Sequence, residues 1–543
     1  MEKVMDYKNG DKLSLSNYWV GLLAFAVASI LGVYQVLERA DMLPQSAKLY
    51  FASVSTHGVL MGFVLTTFVI MGFGYFTACR SLKQPLWHAK LAWFGFYLTL
   101  FGVLLAAYPL LTGQASVMFT FYPPLAAHPI FYIGATLLVV GSWVWVLQMI
   151  MMTLTWKKVH PGEAVPLVQF GNTANAIMWA WTSVGVAAEM LTQLIPWSLG
   201  LVDEIDVALA RVLFSWTLHA IVYFWLFPAY IAMYTLMPKL AGGRLFSDEM
   251  GRVSFIMLMV ISVPIGMHHL YMDPGVASGW KFIHMLGTFA VMLPTLLTGF
   301  TVIASMELAG RLRGGQGLFG WIAKVNWKDP LVLSVGLALL MLTLGGFGGA
   351  INAAYSMNAM VHNTQWITGH FHLIFAGTVV IVYMGTAYHF WPKILGKKLI
   401  SNYFAGLQLW LWMFGMFILT IPWHYIGLLG QPRRISSMPY DTPLVERWDL
   451  HELIMVIGGV ILLVSAVMLI VNLYLAQTRG KKEENTELEL AVPVHPVVSI
   501  PKVLNGFTLW NWIILVYLII SYGYPILHFF ISGDSVGVTP WGV

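Results

Sequence analysis

The chain has 543 residues and a net charge of +5, and 58% of its residues are hydrophobic while only 10% are charged. This composition lies outside the range of soluble globular proteins and predicts an integral membrane protein. The single cysteine, Cys79, excludes an internal disulfide and any metal or iron–sulfur site built from cysteines of this chain.

Thirteen apolar stretches have the length of about 20 residues that a helix needs to cross a bilayer. They cover residues 16–38, 50–78, 91–112, 125–154, 170–196, 209–237, 252–272, 281–309, 330–354, 363–392, 402–427, 452–476 and 507–532. The predicted fold is therefore an all-α integral membrane bundle of about thirteen transmembrane helices. We expect one transmembrane domain at 1–543, with a core at 16–476, a polar linker at 479–502 and an extra C-terminal helix at 507–532. The charges of the linker indicate a solvated connection.

Basic residues between the stretches predict the orientation of the chain, because they favour the cytoplasmic side of a membrane. If the N-terminus is cytoplasmic, 22 of the 29 Lys and Arg residues lie on the inner side and 7 on the outer side. We therefore expect a cytoplasmic N-terminus and an external C-terminus. The net positive charge follows from this asymmetry, so binding of nucleic acid is not expected.

Ionisable residues inside membrane spans are costly and mark candidate functional sites. Six histidines fall at about one depth, in the predicted outer half of the bilayer: His57, His219, His268, His269, His370 and His372. Six histidines with packing roles alone would have no reason to share one layer. The fifth span also carries an acid, Glu189. Two interpretations of Glu189 stay open, a group on a proton exit path and a hydrogen-bonded structural residue.

The sixth and seventh spans hold a candidate metal site. His268 and His269 would point about 100° apart on a regular helix, so their convergence on one ion requires a loosened backbone. Pro264 can loosen it, because a proline removes a backbone hydrogen bond. With His219 they form a three-imidazole set suited to copper, zinc or iron. Tyr223 follows His219 by four residues, so its phenol lies on the same helical face.

Hydroxyl groups form a stripe that starts at Tyr223 and descends toward the predicted inner side. Its other members lie on the sixth span, in the next inner loop and on the eighth span: Tyr230, Tyr234, Ser247, Thr295, Thr298 and Thr301. At 100° per residue the three tyrosines fall within about 60° of one another. Such a stripe can carry protons along hydrogen bonds and ordered water. The alternative is that these hydroxyls only hold helices together, and their common direction toward Tyr223 favours the relay.

The tenth span carries His370 and His372, which lie about 200° apart on a helix and therefore point to opposite sides. One helix can thus provide a ligand to each of two separate centres. His57 on the second span can supply the other axial ligand to one of them. Gly369, directly before His370, would let a flat macrocycle approach the backbone closely.

Four motifs occur in a fixed order: THGVL around His57, HAIVY at 219–223, HH at 268–269 and GHFH at 369–372. Across about residues 16–476 this pattern resembles subunit I of the haem–copper oxygen reductases. The resemblance implies a catalytic subunit that reduces oxygen to water, and a covalent bond between Tyr223 and His219. It also implies two haems and one copper ion. Their ligands would be His57 and His372 for the low-spin haem, His370 for the high-spin haem, and His219, His268 and His269 for copper.

One position distinguishes branches of this family. The commoner A-type members have a glutamate two residues after the first copper histidine, where this chain has Ile221. The chain therefore resembles the B-type branch, which implies a single proton route ending at the tyrosine. The enzymatic alternative is a nitric-oxide reductase of the same superfamily, but such enzymes lack this tyrosine and place glutamates near the metal. The alternative from another class is a proton-coupled transporter, which leaves the paired ligands of the tenth span unexplained.

Residues on the outer side complete the expected site. Arg433 and Arg434, in QPRRISS, resemble partners of haem propionates, and a solvated loop is the alternative. His362 and Asn358 precede the tenth span and resemble residues near a propionate. Some B-type relatives have a carboxylate where Asn358 stands, and an amide cannot titrate.

The resemblance also predicts cofactors, partners and location. The expected cofactors are a low-spin haem of b type, a high-spin haem of a type and one copper ion. The expected partners are a subunit II with a dinuclear copper site, small membrane subunits, membrane lipid, and cytochrome c or quinol as the electron donor. We expect a multi-pass protein of the prokaryotic inner (plasma) membrane, acting as a proton-translocating cytochrome c oxidase of a respiratory chain.

Overall fold

Each of the thirteen apolar stretches falls on a helical segment in the computed structural model, which describes residues 7–273, 278–436, 443–497 and 499–531. In chain order the main helices of the described residues are α1 (Lys8–Arg39), α2 (Ala47–Leu82), α3 (Ala89–Leu111), α4 (Pro129–Val159), α5 (Leu167–Glu189), α6 (Val207–Thr235), α7 (Asp248–Ser262), α8 (Ser278–Leu312), α9 (Pro330–Ala353), α10 (Gln365–Leu395), α11 (Asn402–Leu428), α12 (Pro443–Arg479) and α13 (Thr508–His528). Short helices lie between them at Ile195–Ser198, Met237–Leu240 and Tyr355–Val361. Among the described residues no β-strand forms. The all-α prediction is therefore confirmed.

Eleven of the thirteen helices are long and apolar enough to cross a membrane. The other two are α5 and α7. Helix α7 has 15 residues, which at about 1.5 Å per residue is too short for a hydrocarbon core of about 30 Å. Helix α5 carries buried polar side chains, among them Gln169 and Asn172, and Asn172 donates to Thr77 Oγ1 at 2.9 Å. Polar side chains that bond to neighbouring helices fit the interior of the bundle better than its lipid-facing surface.

Short polar residues cap six of the helix starts. Each accepts a hydrogen bond from a backbone N–H of the first turn: Ser46, Asp206, Ser247, Asp329, Thr364 and Ser401. Such caps satisfy donors that have no partner within the helix. Ser247, the member of the predicted hydroxyl stripe in the inner loop, is therefore also the N-cap of α7.

Wider π-helical turns interrupt four helical segments. They cover Leu60–Leu65 in α2, Met190–Leu194 after α5, Leu373–Val380 in α10 and Ile519–Gly523 in α13. Two of them begin directly after Glu189 and His372, and a third begins three residues after His57. Single π-turns inside α-helices are frequent at functional sites. The hydrophobic pattern of the sequence did not predict them.

The backbone after α7 is loosened, as Pro264 predicts. Helix α7 ends at Ser262, and a 3₁₀ turn at Gly266–Leu270 carries His268 and His269. The seventh predicted span, 252–272, is therefore a shorter helix followed by a tight turn. This turn, and not a regular helix, orients the adjacent histidines.

The polar linker is bound to helix ends, among them the C-terminal end of α6, along much of its length. Ala491 N donates to Thr235 O at 2.7 Å, where α6 ends. Leu245 N donates to Val492 O at 3.0 Å, just before α7. A salt bridge of 3.4 Å joins Lys239 to Glu489. The segment lies at the surface, and these contacts hold it against the helix ends.

Candidate metal centre

Three histidines from two distant parts of the chain meet between α6 and the 3₁₀ turn. The nitrogen atoms that His219, His268 and His269 offer all lie within 4.8 Å of one another. Ring centroids are 4.2 Å apart for His219 and His268 and 4.2 Å apart for His268 and His269. The structure therefore assembles the three-imidazole set predicted from the sequence. Three imidazoles suit copper, zinc or iron and leave a coordination position open.

Neighbouring groups orient each ring of this set. His268 Nδ1 lies 2.7 Å from Ile265 O and 3.0 Å from the hydroxyl of Thr288 on α8. These contacts occupy Nδ1 and leave Nε2 of His268 for a metal. His269 Nε2 and His219 Nδ1 are 3.4 Å apart, so these two nitrogens face each other. A second ring nitrogen held by a carbonyl or hydroxyl is the usual way in which a protein fixes a ligating histidine.

Tyr223 contacts the same site. Its hydroxyl oxygen lies 3.1 Å from His219 Nε2, and the two ring centroids are 5.0 Å apart. Because the phenol engages Nε2, His219 offers Nδ1 to the metal. The two side chains that the resemblance joins are therefore in contact, and the covalent bond between them stays a prediction.

His57 and His372 form a second pair, between α2 and α10. Their ring planes are inclined by 24° and their centroids are 6.2 Å apart. His57 Nδ1 lies 2.8 Å from Ala28 O, and His372 Nδ1 lies 2.8 Å from Thr368 O. Each ring therefore has its Nε2 to offer. A metal–imidazole bond is about 2.0–2.1 Å long, so the separation has room for one ion between two imidazoles.

His370 points to the other side of α10, toward α9. Its Nδ1 lies 3.1 Å from Gly345 O, and its ring stacks on Trp366 at a centroid distance of 5.8 Å. His372 instead faces His57 and Trp423. The two histidines of α10 thus serve opposite sides, as their spacing predicts. One helix presents an imidazole to each of two centres.

Gly369 lies where α10 packs closely against α11. A Cβ at this position would lie 2.8 Å from His424 Nδ1 and 3.0 Å from Thr420 O. Both residues belong to α11. The close packing of α10 against α11 is therefore one reason for a glycine at this position, and its expected role beside a macrocycle stays a prediction.

Arg433 and Arg434, predicted on the outer side, lie beside the N-terminal end of α10. Arg433 donates to Asn363 Oδ1 at 3.1 Å through Nη2. Within the described part of the chain, neither Arg433 nor Arg434 has a carboxylate within ion-pair distance. Burial, and then the adjacent Arg434, lower the pKa of Arg433 to about 9. Two crowded cations without an acid fit the propionates of a haem.

His362 and Asn358 contact each other close to this arginine pair. His362 Nδ1 lies 3.1 Å from Asn358 Oδ1, and Asn358 donates to Asn352 O at 2.9 Å. Burial, and then the charge of Arg433, lower the pKa of His362. His362 therefore stands next to an amide, which cannot titrate.

In the hydroxyl stripe, two pairs of hydrogen-bonded hydroxyls connect α6 to α8, and we call each pair a rung. Tyr230 donates to Thr295 Oγ1 at 3.2 Å, and Tyr234 donates to Thr298 Oγ1 at 3.2 Å. Ser254 on α7 extends the second rung, because its hydroxyl lies 2.6 Å from that of Thr298. The stripe therefore connects three helices.

The other predicted members of the stripe have local partners. Thr301 donates to Leu297 O at 2.8 Å on its own helix, and Ser247 donates to Glu249 Oε2 at 3.0 Å. No hydrogen bond among the described residues joins Tyr223 to Tyr230, so a bridging water would have to connect them. The two rungs are the part of the stripe that the structure brings together.

Glu189 lies fully buried at the end of α5. Neither carboxylate oxygen has a hydrogen-bond partner among the described residues. The interpretation of Glu189 as a hydrogen-bonded structural residue is therefore not supported. An unpaired buried acid is costly and calls for a functional explanation.

Sequence reasoning missed several residues that contact the predicted ones. They are Ser254, which bonds Thr298, Thr288, which bonds His268, and Asn363, which bonds Arg433. The position of Ser254, seven residues after Ser247 on the same helical face, was the one available signal. Thr288 and Asn363 meet their partners through tertiary packing, which helical periodicity does not encode.

Comparisons with known proteins agree with this geometry. Residues 12–461 match the family model described as cytochrome c and quinol oxidase polypeptide I. Cytochrome c oxidase subunit 1 of Thermus thermophilus is 37% identical over 532 residues, covering 94% of this chain and 93% of the relative. Quinol oxidase subunit 1 of Sulfolobus acidocaldarius is 24% identical over 455 residues, covering 78% and 81%.

A solved structure is also similar along nearly the whole chain. It is a cryo-electron microscopy structure of a haem–copper terminal oxidase dimer, with a TM-score of 0.91 and 34% sequence identity. The similarity covers 95% of this chain and 92% of the other. Together with the histidine geometry, these matches show that the chain belongs to the cytochrome c and quinol oxidase polypeptide I family, the haem- and copper-binding subunit I of the haem–copper oxidases.

Proposed function

We propose that this protein is the catalytic subunit of a B-type terminal oxidase, which reduces oxygen to water and couples the reaction to proton translocation. The observation that carries the proposal is the Tyr223 hydroxyl, 3.1 Å from His219 Nε2 beside the three-histidine group. The position two residues after His219 is Ile221 and not an acid, which supports the B-type branch.

The chain's own residues have distinct places in this proposal. His57 and His372 would hold a low-spin haem of b type, His370 a high-spin haem of a type, and the three-histidine group one copper ion. When bound, these groups would supply electron transfer and the binding of oxygen. Arg433 and Arg434 would hold propionates, with His362 and Asn358 beside them.

Tyr223 and the two rungs below it would deliver protons. The Tyr223 hydroxyl lies beside the three-histidine group and would be the proton donor there, because it is a phenol within hydrogen-bond reach of His219. Tyr230 with Thr295, and Tyr234 with Thr298 and Ser254, would return a proton to it from the inner side. We place Thr301 and Ser247 at the inner end of this route.

The proposal extends to partners and location. The electron donor is cytochrome c or quinol, since relatives named for each donor match the chain. The proposed partners are a subunit II with a dinuclear copper site, small membrane subunits and membrane lipid. We propose a single catalytic domain in the prokaryotic inner membrane, with the N-terminus cytoplasmic and the C-terminus outside.

A reduced-minus-oxidised optical spectrum of the purified protein, repeated with carbon monoxide and paired with iron and copper analysis, tests the proposal. We expect two haems and one copper in this subunit, and only one haem that shifts with carbon monoxide. A third, non-haem iron in place of copper would instead identify a nitric-oxide reductase. Absence of haem from the purified protein would favour the transporter.

A further inference from the structure

Helix α13 contacts the turn that carries two of the three metal-site histidines. Tyr522, which is fully buried in α13, accepts a hydrogen bond from Gly266 N at 3.0 Å. Gly266 is the first residue of the 3₁₀ turn Gly266–Leu270. The match to the family ends at residue 461. Helix α13, which makes this contact, lies after the matched region.

A second contact reaches the same turn through His284 on α8. His284 Nδ1 accepts a hydrogen bond from Met267 N at 3.2 Å, and His284 Nε2 lies 3.3 Å from Ser521 O. Since Nδ1 acts as an acceptor, the ring proton sits on Nε2 and is donated to Ser521 O. Ser521 and Tyr522 therefore hold two consecutive N–H groups of the turn, one directly and one through His284.

Tyr522 also contacts α6, which carries His219. Its ring stacks on Trp216 at a centroid distance of 5.5 Å and an angle of 20°, and its hydroxyl lies 3.3 Å from Ser215 Oγ. Ser215 and Trp216 stand one turn before His219. One side chain thus bridges the two segments that supply the three imidazoles.

At Gly266 the 3₁₀ turn packs so closely against α6 that no side chain fits between them. A Cβ at Gly266 would lie 1.6 Å from Ser215 O and 2.7 Å from the Tyr522 hydroxyl oxygen. The turn and α6 therefore meet backbone to backbone, and Tyr522 closes the contact from the third side. Because His268 follows Gly266 by two residues, a shift of the turn moves the ligand.

We propose that Tyr522, with Ser521 and His284, positions the 3₁₀ turn so that His268 and His269 converge with His219 on one metal ion. The inference rests on the proposed function for the identity of that ion. The extra helix is in this respect a part of the metal site, although none of its residues is a ligand. Tyr522 is a positioning residue because it acts through the backbone of Gly266.

The test uses the purified complex in four variants. Tyr522→Phe removes the hydroxyl and keeps the ring that stacks on Trp216. Tyr524→Phe is the matched control on the same helix, since Tyr524 is 58% exposed. His284→Leu removes the second contact, and His284→Asn restores an acceptor for Met267 N. The readouts are metal retention during dialysis against a chelator and the infrared band of carbon monoxide bound to the copper after photolysis.

For Tyr522→Phe we expect a shifted or broadened carbon monoxide band and roughly 10-fold faster copper loss, the low end of the 10–100-fold effect of groups that hold a ligand in place. The low-spin haem spectrum should be unchanged, because His57 and His372 lie on other helices. His284→Leu should lose copper faster than His284→Asn. Tyr524→Phe should match the parent protein.

Several outcomes would overturn the inference. One is a Tyr522→Phe protein with the same band and copper retention as Tyr524→Phe. If Tyr522→Phe loses both haems and therefore misfolds, the His284 pair decides, and equal retention in both His284 variants overturns the proposal. If the parent protein holds non-haem iron in place of copper, the proposed function fails, while retention of that iron in the same variants still tests the positioning.

Discussion

Replacing Gly348 by alanine tests how the high-spin centre is held. Gly348 lies on α9 opposite His370, and a Cβ there would lie 2.5 Å from His370 Nδ1 and 3.2 Å from its Cγ. Ordinary contact begins at 3.4 Å, so the ring has to retreat by about 1 Å. Trp366 also lies 3.3 Å from the added atom and stacks on the ring. A retreat of this size disturbs the contact of 3.1 Å between His370 Nδ1 and Gly345 O.

The expected loss of haem affinity follows from the disturbed contact between His370 and Gly345 O. Removing a group that holds a metal-ligating histidine lowers affinity about 10–100-fold, and each factor of ten corresponds to about 1.4 kcal/mol. We therefore expect Gly348→Ala to weaken retention of the carbon monoxide-reactive haem by about 1.4–2.8 kcal/mol. The low-spin haem should stay, because His372 faces the opposite side of α10 and contacts His57.

The assay is total haem content together with the carbon monoxide difference spectrum of the purified protein. Gly346→Ala is the matched control, because a Cβ at Gly346 meets no atom within 4 Å. Both variants raise helix propensity by the same amount, so their difference reports the contact with His370. Equal carbon monoxide-reactive haem in the two variants would refute the argument that His370 is held against α9.

Three further substitutions test the proposed roles. Tyr223→Phe should lower oxygen reduction at least about 100-fold, the lower bound for a positioned proton donor, while metal analysis still finds the parent metal content; substantial turnover would remove Tyr223 from the mechanism. Thr298→Val leaves the buried Tyr234 and Ser254 hydroxyls without this partner, so we expect a loss of about 1–3 kcal/mol in thermal stability and slowed turnover with unchanged spectra. Thr343→Val, which removes an exposed hydroxyl, is its control, and similar turnover in both would exclude the second rung from proton delivery. Arg433→Gln should weaken haem retention by about 1.5–3 kcal/mol, the worth of a hydrogen bond to a charged group, whereas Arg479→Gln at the end of α12 should not; equal retention would argue against propionate binding.

The sequence predicted the features that follow a helical period. Apolar stretches located all thirteen helices, and the spacing of His370 and His372 placed them on opposite sides of α10. Proline chemistry predicted the loosened turn that carries His268 and His269. The offsets of Tyr230 and Tyr234 predicted a stripe on one face of α6, and both now form rungs to α8. Each of these predictions depends on residues within one segment.

The features that were missed depend on two segments at once. The hydrogen bond from Gly266 N to Tyr522 joins residues 256 positions apart, and no local pattern marks either of them. The π-turns after His372 and Glu189 arise from tertiary packing, because the apolar sequence there suits an α-helix equally well. The packing of Gly369 against the side chain of His424 on α11 is another contact between two segments that a local pattern does not predict.

Glycine contacts explain how two metal centres can keep fixed positions in a bundle of separate helices. At Gly266 the ligand-bearing turn meets α6 at the carbonyl of Ser215, and at Gly348 the backbone of α9 meets the ring of His370. Backbone atoms cannot move aside by changing rotamer, so the segments that meet at these glycines keep fixed positions relative to each other. Such rigid contacts help a site to hold two centres in defined positions. Loosely packed supporting residues would let the ligands move away from the geometry that the reaction needs. The hydrogen bond of Tyr522 to the turn and the hydrogen bond of Gly345 O to the ring of His370 then hold both groups in these contacts.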